Sequence, residues 1–366
     1  MRVILIHKAR LIDFPPVIND ILLLSNLGHD VILVTEEVNN DWKNRLNGMG
    51  VKYYEIPLLT TRFKFAGKAF SYVNFKKKAF SIIEKEYEDN SILWIEGAAT
   101  IFALGVAIKR YRYILQISEL HENTSYHLKA IRKVINDAAC VFMPEYNRGA
   151  IYRVWFKLTK SPIVLPNKPY FVPSFEEIEQ LKKKYNNEVS RLEGKKVILY
   201  QGLLLPERDL CGFVKAIREL GDDFCLVLLG RDFGMVDKYR VHDENLIHIE
   251  SLPAPDYLSI TSIAYIGIVT YSPWGLNTTF CAPNKIYEYG YFGLPMIGNH
   301  IPGLKYTVEE GKAGILVDEY DIEGIKKAII QIDKNYESYS ANAHKLYDAL
   351  DCREIIKNAL NSIGNY

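Results

Sequence analysis

The sequence predicts an α/β protein of two doubly wound domains, each built on a parallel sheet with helices on both faces. The chain has 366 residues, a length that suits two domains of ordinary size. Short apolar runs alternate with segments of helical periodicity, which is typical of strands joined by crossover helices. The alternation stops at a segment with three prolines near residues 161–170 and then begins again, which indicates a domain boundary.

The composition is that of an ordinary globular protein. There are 45 Lys and Arg against 44 Asp and Glu, and 48% of the residues are hydrophobic. Neither a disordered chain nor a strongly basic protein covered by nucleic acid is therefore expected. The cysteines are odd in number and form no CxxC pair, which argues against a disulfide framework or a zinc site and favours the reducing cytoplasm. They are Cys140, Cys211, Cys225, Cys281 and Cys352. The apolar run at the N-terminus is too short for a secretory signal.

The first domain is predicted over residues 1–170. Its strands are expected in RVILIH, DVILVT, VKYYEIP, ILWI, YILQIS and CVFMP, with helices between them. In the first helix Gly28 is the stop signal, and one apolar face holds Phe14, Val17, Ile18, Ile21 and Leu22. Further helices are predicted from about Asp41 and over residues 74–87.

Residues 91–108 approach the length of a membrane span. Glu96 lies near the middle, and a carboxylate in hydrocarbon is costly. A buried strand over Ile92–Ile95, a turn at Glu96 and Gly97, and a helix from Thr100 avoid that cost, so an integral membrane protein is not expected.

The second domain is predicted over residues 171–350. Its strands are expected in KVILYQG, FCLVLLG, LIHIESL, YIGIVTY, PMIG and GILVD. Residues 351–366 form a last helix that is expected to pack back on the first domain. Two such sheets face a cleft with the carboxyl ends of their strands, where these folds bind ligands.

The near-neutral total hides an asymmetry, since residues 1–170 hold 24 Lys and Arg against 16 Asp and Glu. Much of the excess lies in residues 62–78, where Lys and Arg alternate with aromatic residues. This pattern suits peripheral contact with an anionic membrane, for instance the inner face of the cell membrane. The alternative is a solvated, Lys-rich face. No nucleic-acid recognition module accompanies the charge, so nucleic acid is not expected as a partner.

The segment Ala282 to Ile297 carries the clearest chemical signal. Asn284 is a favourable N-cap, and Lys285 follows in the first turn, where a cation is unfavourable unless an anion binds there. Glu288 shares the face of Lys285 and can accept hydrogen bonds from a vicinal diol such as a ribose. The pair suits a diphosphate and a ribose; the alternative is a surface ion pair between the two.

PNKIYEYGYFGLPMI, over Pro283 to Ile297, resembles the signature helix of GT-B glycosyltransferases of family 4, which assemble capsular and other surface polysaccharides. YQGLLLPERDL is similar to the family's glycine-rich loop at Gly202 and its diphosphate-binding arginine at Arg208. PEYNRG and VLPNKP are similar to segments before the family's linker.

The resemblance implies that Arg208 and Lys285 clamp the diphosphate of a nucleotide-sugar donor and that Glu288 holds the ribose. Two fixed cations stabilise the charge on the leaving nucleoside diphosphate, so neither a metal nor another cofactor is expected. For Arg208 the alternative is a surface ion pair with Glu207 or Asp209.

One position departs from the family. Family 4 enzymes commonly carry a second glutamate near the donor sugar, and Phe280 stands at that position here. Asn277 and Thr278, in the loop Tyr271 to Thr279, are candidates to bind the sugar hydroxyls instead. Arg231, in the turn after FCLVLLG, is a candidate nucleotide contact.

In the first domain, Glu119 and His121 follow the strand YILQIS. The position resembles a loop where related enzymes keep a histidine near the donor sugar, so His121 is a candidate contact to the sugar or the leaving group. In an inverting enzyme, either residue is a candidate general base. The alternative is a structural or solvated histidine.

The resemblance implies a transferase that moves a sugar from a nucleotide-sugar to a glycan or lipid-linked acceptor with retention of configuration. Two alternatives stay open. One is a nucleotide-sugar 2-epimerase, which needs acid and base carboxylates around the sugar. The other is a non-catalytic partner subunit of the same fold, which the loss of an acid at Phe280 favours.

Overall fold

The protein consists of two compact units, seen in a computed structural model that describes residues 1–58, 64–122, 125–170 and 172–364. One unit comprises Met1–Tyr170 with Asp351–Tyr366, and the other comprises Phe171–Leu350. Each unit contains one parallel β-sheet covered by helices. The predicted fold of two Rossmann-like, doubly wound domains is thereby confirmed.

The described residues of the first unit include seven strands. They are β1 (Arg2–Arg10), β2 (Asp30–Glu37), β3 (Lys52–Glu55), β4 (Ser91–Glu96), β5 (Tyr113–Gln116), β6 (Val141–Met143) and β7 (Ile163–Val164). Their order in the sheet is β3-β2-β1-β4-β5-β6-β7, and all pairs are parallel. The helices that connect them are α1 (Pro15–Asn26), α2 (Asn40–Gly48), α3 (Lys64–Glu86), α4 (Ala98–Leu104), α5 (Ser125–Arg132) and α6 (Tyr146–Phe156).

The strand β4 shows why the apolar run at 91–108 does not form one long helix. Every residue of β4 is buried, because the strand lies between β1 and β5 in a sheet covered on both faces. Gly97 then reverses the chain with a φ of +84°, a value that favours glycine, and α4 begins at the next residue. Within the described part of the chain, no helix is both long and apolar enough to cross a bilayer.

Two helices of the first unit differ from the prediction. The helix α1 ends before Gly28, whose φ is +78°, but it buries Val17, Ile21 and Leu24, while Leu22 is only half-buried. The buried stripe follows the three- and four-residue spacing of one helix face, and Leu22 lies at its edge. The helix α3 begins at Lys64, earlier than the predicted start near residue 74.

The second unit repeats the architecture with six strands among its described residues. They are β8 (Lys196–Gln201), β9 (Phe224–Leu229), β10 (Ile247–Ile249), β11 (Ile266–Val269), β12 (Met296–Asn299) and β13 (Gly314–Val317), in the order β10-β9-β8-β11-β12-β13. Its helices are α7 (Phe175–Lys184), α8 (Asn186–Ser190), α9 (Cys211–Glu219), α10 (Val236–Arg240), α11 (Leu258–Thr261), α12 (Leu276–Thr279), α13 (Lys285–Tyr291), α14 (Pro302–Leu304), α15 (Ile322–Lys334) and α16 (Tyr336–Asp348).

The strand β8 lies in the middle of this sheet and contributes to the core on both faces. Val197 and Leu199 pack in one hydrophobic cluster, with Tyr289 of α13. Ile198 and Tyr200 pack in the opposite cluster, with residues of α9 and α15. Successive side chains of a strand point to opposite faces, so the apolar run Val197–Leu199 at the centre of β8 fits this central place.

The chain ends in α17 (Cys352–Gly364), which belongs to the first unit. Ile356, Leu360 and Ile363 are buried in the hydrophobic cluster that also contains Val17 and Ile21 of α1. The last helix therefore completes the cover over one face of the first sheet.

Candidate functional site

Two glycines form the floor of the candidate site at the carboxyl ends of β8 and β9. Gly202 has a φ of +139° and Gly230 a φ of +146°, conformations that side chains rarely tolerate. A Cβ atom on Gly230 would lie 2.0 Å from the carbonyl oxygen of Gly202. The two turns are therefore packed backbone against backbone, and Gly202 lies where the sequence predicts a glycine-rich loop.

Two cations converge on the space above Gly202. A Cβ atom at this residue would lie 3.4 Å from Nζ of Lys285 and 3.8 Å from Nη1 of Arg208. The lysine comes from the first turn of α13 and the arginine from the loop before α9. Residues that are distant in sequence thus place two positive charges over the half-buried backbone of Gly202, an arrangement that suits an anion.

Lys285 is buried, with 7% of its surface exposed. Its Nζ lies 4.4 Å from the ring centroid of Tyr200 and 5.5 Å from that of Tyr271. Among the described residues it has no hydrogen-bond partner and no ion pair within 4.0 Å. Burial, together with the charge of Arg208, lowers the pKa of Lys285 to about 7, although Glu288 opposes the shift.

Arg208 is half-buried, and its guanidinium carbon lies 4.9 Å from the ring centroid of Tyr271. Burial lowers the pKa of Arg208, but Tyr200 and Tyr271 outweigh that effect and leave the pKa above its ordinary value. The neighbouring Asp209 pairs with Lys238 at 3.0 Å instead. Within the described ranges Arg208 forms no ion pair, so the surface-pair alternative does not describe it.

Glu288 is held by neutral donors. Tyr257 donates a hydrogen bond of 2.5 Å to its Oε1, and the side-chain amide of Gln201 donates to its Oε2. Burial raises the pKa of Glu288, while Tyr257, Lys285 and Gln201 oppose the shift. Lys285 and Glu288 are both buried, and the described residues show no ion pair between them, so the predicted alternative of a surface pair is wrong.

The N-terminus of α13 differs in detail from the prediction. Asn284 precedes the helix, but its side chain makes no capping hydrogen bond. Its backbone is already helical, with φ −58° and ψ −36°, and only its carbonyl oxygen accepts from the following turn. An N-cap side chain reaches the helix amides from an extended conformation, so Asn284 does not act as the predicted N-cap.

Sequence reasoning missed four residues of this site: Tyr200, Gln201, Tyr257 and Tyr271. Three of them are tyrosines, a residue type that is abundant here, with 25 in the chain. Their position in the sequence could have indicated two of them, because residues at the carboxyl ends of parallel strands face the ligand site. Gln201 ends β8 directly before Gly202, and Tyr271 lies at the start of the loop after β11.

The other predicted residues of the second unit lie on the surrounding loops. Asn277 and Thr278 are half-buried on the short α12, where the Thr278 hydroxyl donates to the carbonyl of Gly275 at 3.1 Å. Phe280 follows α12 and is half-buried. Arg231 is exposed, and its guanidinium carbon lies 5.0 Å from the Phe233 ring. Their roles in binding stay predictions.

In the first unit, Glu119 and His121 follow β5 as predicted. The His121 ring packs edge-on against His127, with centroids 5.0 Å apart, and burial with His127 and Arg148 lowers the pKa of His121 to about 4. Glu119 lies 3.7 Å from a guanidinium nitrogen of Arg148. His121 is therefore neutral at pH 7, as a hydrogen-bond acceptor or a base must be; the catalytic roles of both residues stay predictions.

No metal site is evident in the part of the chain that the structure describes, in the sense that no three His, Cys, Asp or Glu side chains come together in a suitable group.

Comparison with known proteins gives one family match, which lies within the second unit. Residues 195–335 match the family profile described as "Glycosyl transferases group 1". Over 145 residues the chain is 29% identical to glycogen synthase from Thermus thermophilus, a match that covers 37% of this chain and 31% of that protein. Both matches cover less than half of this chain, and the curated relative is matched over less than a third of its own length.

Solved structures resemble the whole chain. The Anabaena protein HepE, solved with UDP and also with UDP-glucose, has a TM-score of 0.71 at 12% identity over 100% of both chains. Sucrose-phosphate synthase from Thermosynechococcus elongatus has a TM-score of 0.68 at 17% identity, over 99% of this chain and 97% of that one. WaaG, a glycosyltransferase of lipopolysaccharide biosynthesis, has a TM-score of 0.66 at 13% identity over 99% of each chain. The fold is that of GT-B glycosyltransferases.

Proposed function

We propose that the protein transfers a sugar from a nucleotide-sugar to a glycan or lipid-linked acceptor of surface polysaccharide synthesis. The observation that carries the proposal is the buried amine of Lys285, which has no hydrogen-bond partner among the described residues and lies with Arg208 over the backbone of Gly202. A buried, unpaired cation is unfavourable in the free protein and becomes favourable when an anion binds. A diphosphate matches two such cations.

In this proposal Arg208 and Lys285 bind the diphosphate and stabilise the charge that develops on it as it leaves. Glu288 accepts hydrogen bonds from the ribose through the acceptor positions that Tyr257 and Gln201 leave open, since each carboxylate oxygen can accept more than one. The bond between the anomeric carbon and the phosphate oxygen breaks while the acceptor oxygen bonds to that carbon. The acceptor proton passes to the leaving phosphate, and the configuration is retained.

The two fixed cations are proposed to do the work of a metal ion. A chelator such as EDTA is then expected to leave turnover unchanged. Loss of turnover that Mg²⁺ or Mn²⁺ restores would contradict this part of the proposal.

The first experiment is incubation of the purified protein with single nucleotide-sugars while release of nucleoside diphosphate is measured. UDP-glucose is the donor to begin with, because HepE is solved with it. Slow hydrolysis of one donor supports a transferase. An epimerised sugar would indicate the 2-epimerase, and binding without any turnover would indicate the non-catalytic subunit that Phe280 suggests.

We also propose peripheral membrane contact through α3. Arg62 lies outside the described residues, as do the side chains of Lys64 and Lys68. Among those described, Phe70 and Val73 are 60% and 64% exposed, while Phe75 is buried. Phe70 lies about two turns, and Val73 about one turn, before the exposed Lys76 and Lys77. Apolar side chains beside lysines on one exposed helix face suit an anionic lipid surface.

Vesicle binding tests this second proposal. The protein is expected to sediment with vesicles that contain phosphatidylglycerol, less so as the salt concentration rises, and charge reversal at Lys76, Lys77 and Lys78 is expected to abolish binding. Wild-type protein that stays in the supernatant would show that these lysines form only a solvated face.

A further inference from the structure

The side chains of Lys285 and Glu288 do not pair, although their spacing favours it. Residues three apart on a helix are neighbours on its surface, and a buried lysine and a buried carboxylate gain most from each other. Yet both oxygens of Glu288 are occupied by neutral donors, Gln201 and Tyr257. Lys285 instead lies over the ring of Tyr200 at 4.4 Å.

The neutral donors are themselves fixed. The hydroxyl of Thr261 donates to Oε1 of Gln201 at 2.8 Å, so the amide nitrogen of Gln201 is turned toward Glu288. Gln201 ends β8, Thr261 lies in α11 and Tyr257 directly precedes that helix. The carboxylate of Glu288 is thus held from two elements outside its own helix, and it cannot turn toward Lys285 without losing a buried hydrogen bond.

The arrangement keeps the two charges apart. If Glu288 lost one donor, a buried carboxylate oxygen would be left unsatisfied, and the closest remedy is the ammonium of Lys285, one turn away on the same face. That contact would neutralise Lys285 and leave less positive charge for an anion over Gly202.

We propose that Gln201 and Tyr257 are positioning residues that hold Glu288 away from Lys285 and so keep the charge of the lysine available to a diphosphate. The inference rests on the proposed function, because it takes the diphosphate to bind at Lys285. The inference also explains why Glu288 is held by the neutral donors Gln201 and Tyr257. The site has a carboxylate for the ribose and a cation for the diphosphate within one helical turn, and the two donors prevent these charges from pairing with each other.

Calorimetric titration of inorganic pyrophosphate into the full chain tests the inference, because pyrophosphate has no ribose and reports on the cations alone. Tyr257→Phe is expected to weaken pyrophosphate binding about tenfold, the size of one charge-assisted contact. The double variant Tyr257→Phe with Glu288→Gln is expected to regain binding close to that of the wild type, because a neutral amide cannot neutralise Lys285.

Tyr265→Phe is the matched control. The Tyr265 hydroxyl also donates to a carboxylate, that of Asp333, at 2.7 Å. Neither residue is among those that surround Lys285 and Glu288. Pyrophosphate binding by Tyr265→Phe is expected to equal that of the wild type. If Tyr257→Phe does not fold, Gln201→Met removes the other donor to Glu288 instead. Pyrophosphate binding is then compared between Gln201→Met and the double variant Gln201→Met with Glu288→Gln.

The outcomes separate the inference from the proposed function. If the wild type binds pyrophosphate and Tyr257→Phe binds equally well, the inference is overturned and the proposed function stands. If Tyr257→Phe binds weakly and Glu288→Gln does not restore binding, Tyr257 has a structural role only, and the inference is again overturned. If the wild type binds neither pyrophosphate nor a nucleoside diphosphate, the proposed function fails and the inference fails with it.

Discussion

Each unit of the protein buries a lysine over a tyrosine ring, and the two lysines differ in one respect. Lys8, in β1 of the first unit, lies 4.4 Å from the Tyr72 ring, and Lys285 lies at the same distance from the Tyr200 ring. Lys8 also has a carboxylate, Glu36, at 2.6 Å. Lys285 has no such partner among the described residues.

The difference separates a structural charge from a functional one. A buried ion pair such as that of Lys8 with Glu36 satisfies both charges within the fold. At Lys285 the available carboxylate is held by other donors, so the amine pays a desolvation cost that a bound anion would offset. Burial alone therefore does not identify a binding site; burial without a partner does.

The largest expected difference between Lys8 and Lys285 is in how much each contributes to the free energy of unfolding. Lys8→Met leaves Glu36 buried without its cation and is expected to lower the free energy of unfolding by about 3–5 kcal/mol. Lys285→Met removes an unpaired cation and is expected not to lower it. Urea denaturation of both variants checks this, and a similar loss in both would mean that Lys285 has a stabilising partner.

The next effect concerns activity. Lys285→Ala and Arg208→Ala are each expected to raise the transition-state free energy by about 2–4 kcal/mol, because each removes a preorganised charge that stabilises the leaving diphosphate. The measurement is kcat/KM for the donor that the wild type hydrolyses. Lys326→Ala, which removes a lysine from a surface pair with Glu219 and Glu323, is the control and is expected to retain wild-type activity. Wild-type rates for both site variants would refute the assignment.

A smaller effect concerns pH. The pKa of Lys285 is about 7 in the free protein, and a bound diphosphate restores the charged form, so binding above pH 7 takes up a proton. The Kd for a nucleoside diphosphate is therefore expected to rise by up to about tenfold per pH unit above 7 and to level off below it.

Calorimetry between pH 6 and 9, in buffers of different ionisation enthalpy, counts the protons taken up. Lys285→Arg stays charged over this range and is expected to lose the dependence. The ionisation of the ligand itself is common to both proteins, so the same slope in both would contradict a neutral Lys285 in the free site.

The smallest expected effect compares a buried cation with an exposed one. Arg231 is exposed and lies against Phe233, so its interaction with a ligand is screened by water. Arg231→Ala is expected to change the Kd for a nucleoside diphosphate by less than about threefold. A loss as large as that of Arg208→Ala would place Arg231 in the site itself.

The sequence predicts the fold well where local pattern decides it. Apolar runs such as the one over β4 and stop signals such as Gly28 locate strands and helix ends, because burial and backbone conformation act within a few residues. The start of α3 was missed because Gly67, a residue type that is unfavourable inside a helix, interrupts the segment before residue 74. The capping role of Asn284 was wrong because residue type alone does not fix backbone conformation.

The candidate site was predicted in its charged members and in Gly202. Gly202, Arg208, Lys285 and Glu288 stand in motifs that indicate anion and diol binding. Gln201 lies 87 residues from Glu288 in sequence, and Tyr257 lies 31 residues from it. Such contacts depend on the order of strands in the sheet, and amides and phenols serve many purposes in a protein, so no spacing rule indicates them.

The central claim is that Lys285 and Arg208 bind a diphosphate over Gly202, and a crystal structure with a bound nucleoside diphosphate tests it most directly. Phosphate oxygens are expected at about 2.7–3.2 Å from Nζ of Lys285 and from the guanidinium of Arg208, with the ribose hydroxyls on Glu288. A nucleotide bound elsewhere, with Lys285 still buried against Tyr200 and without an anionic partner, would contradict it.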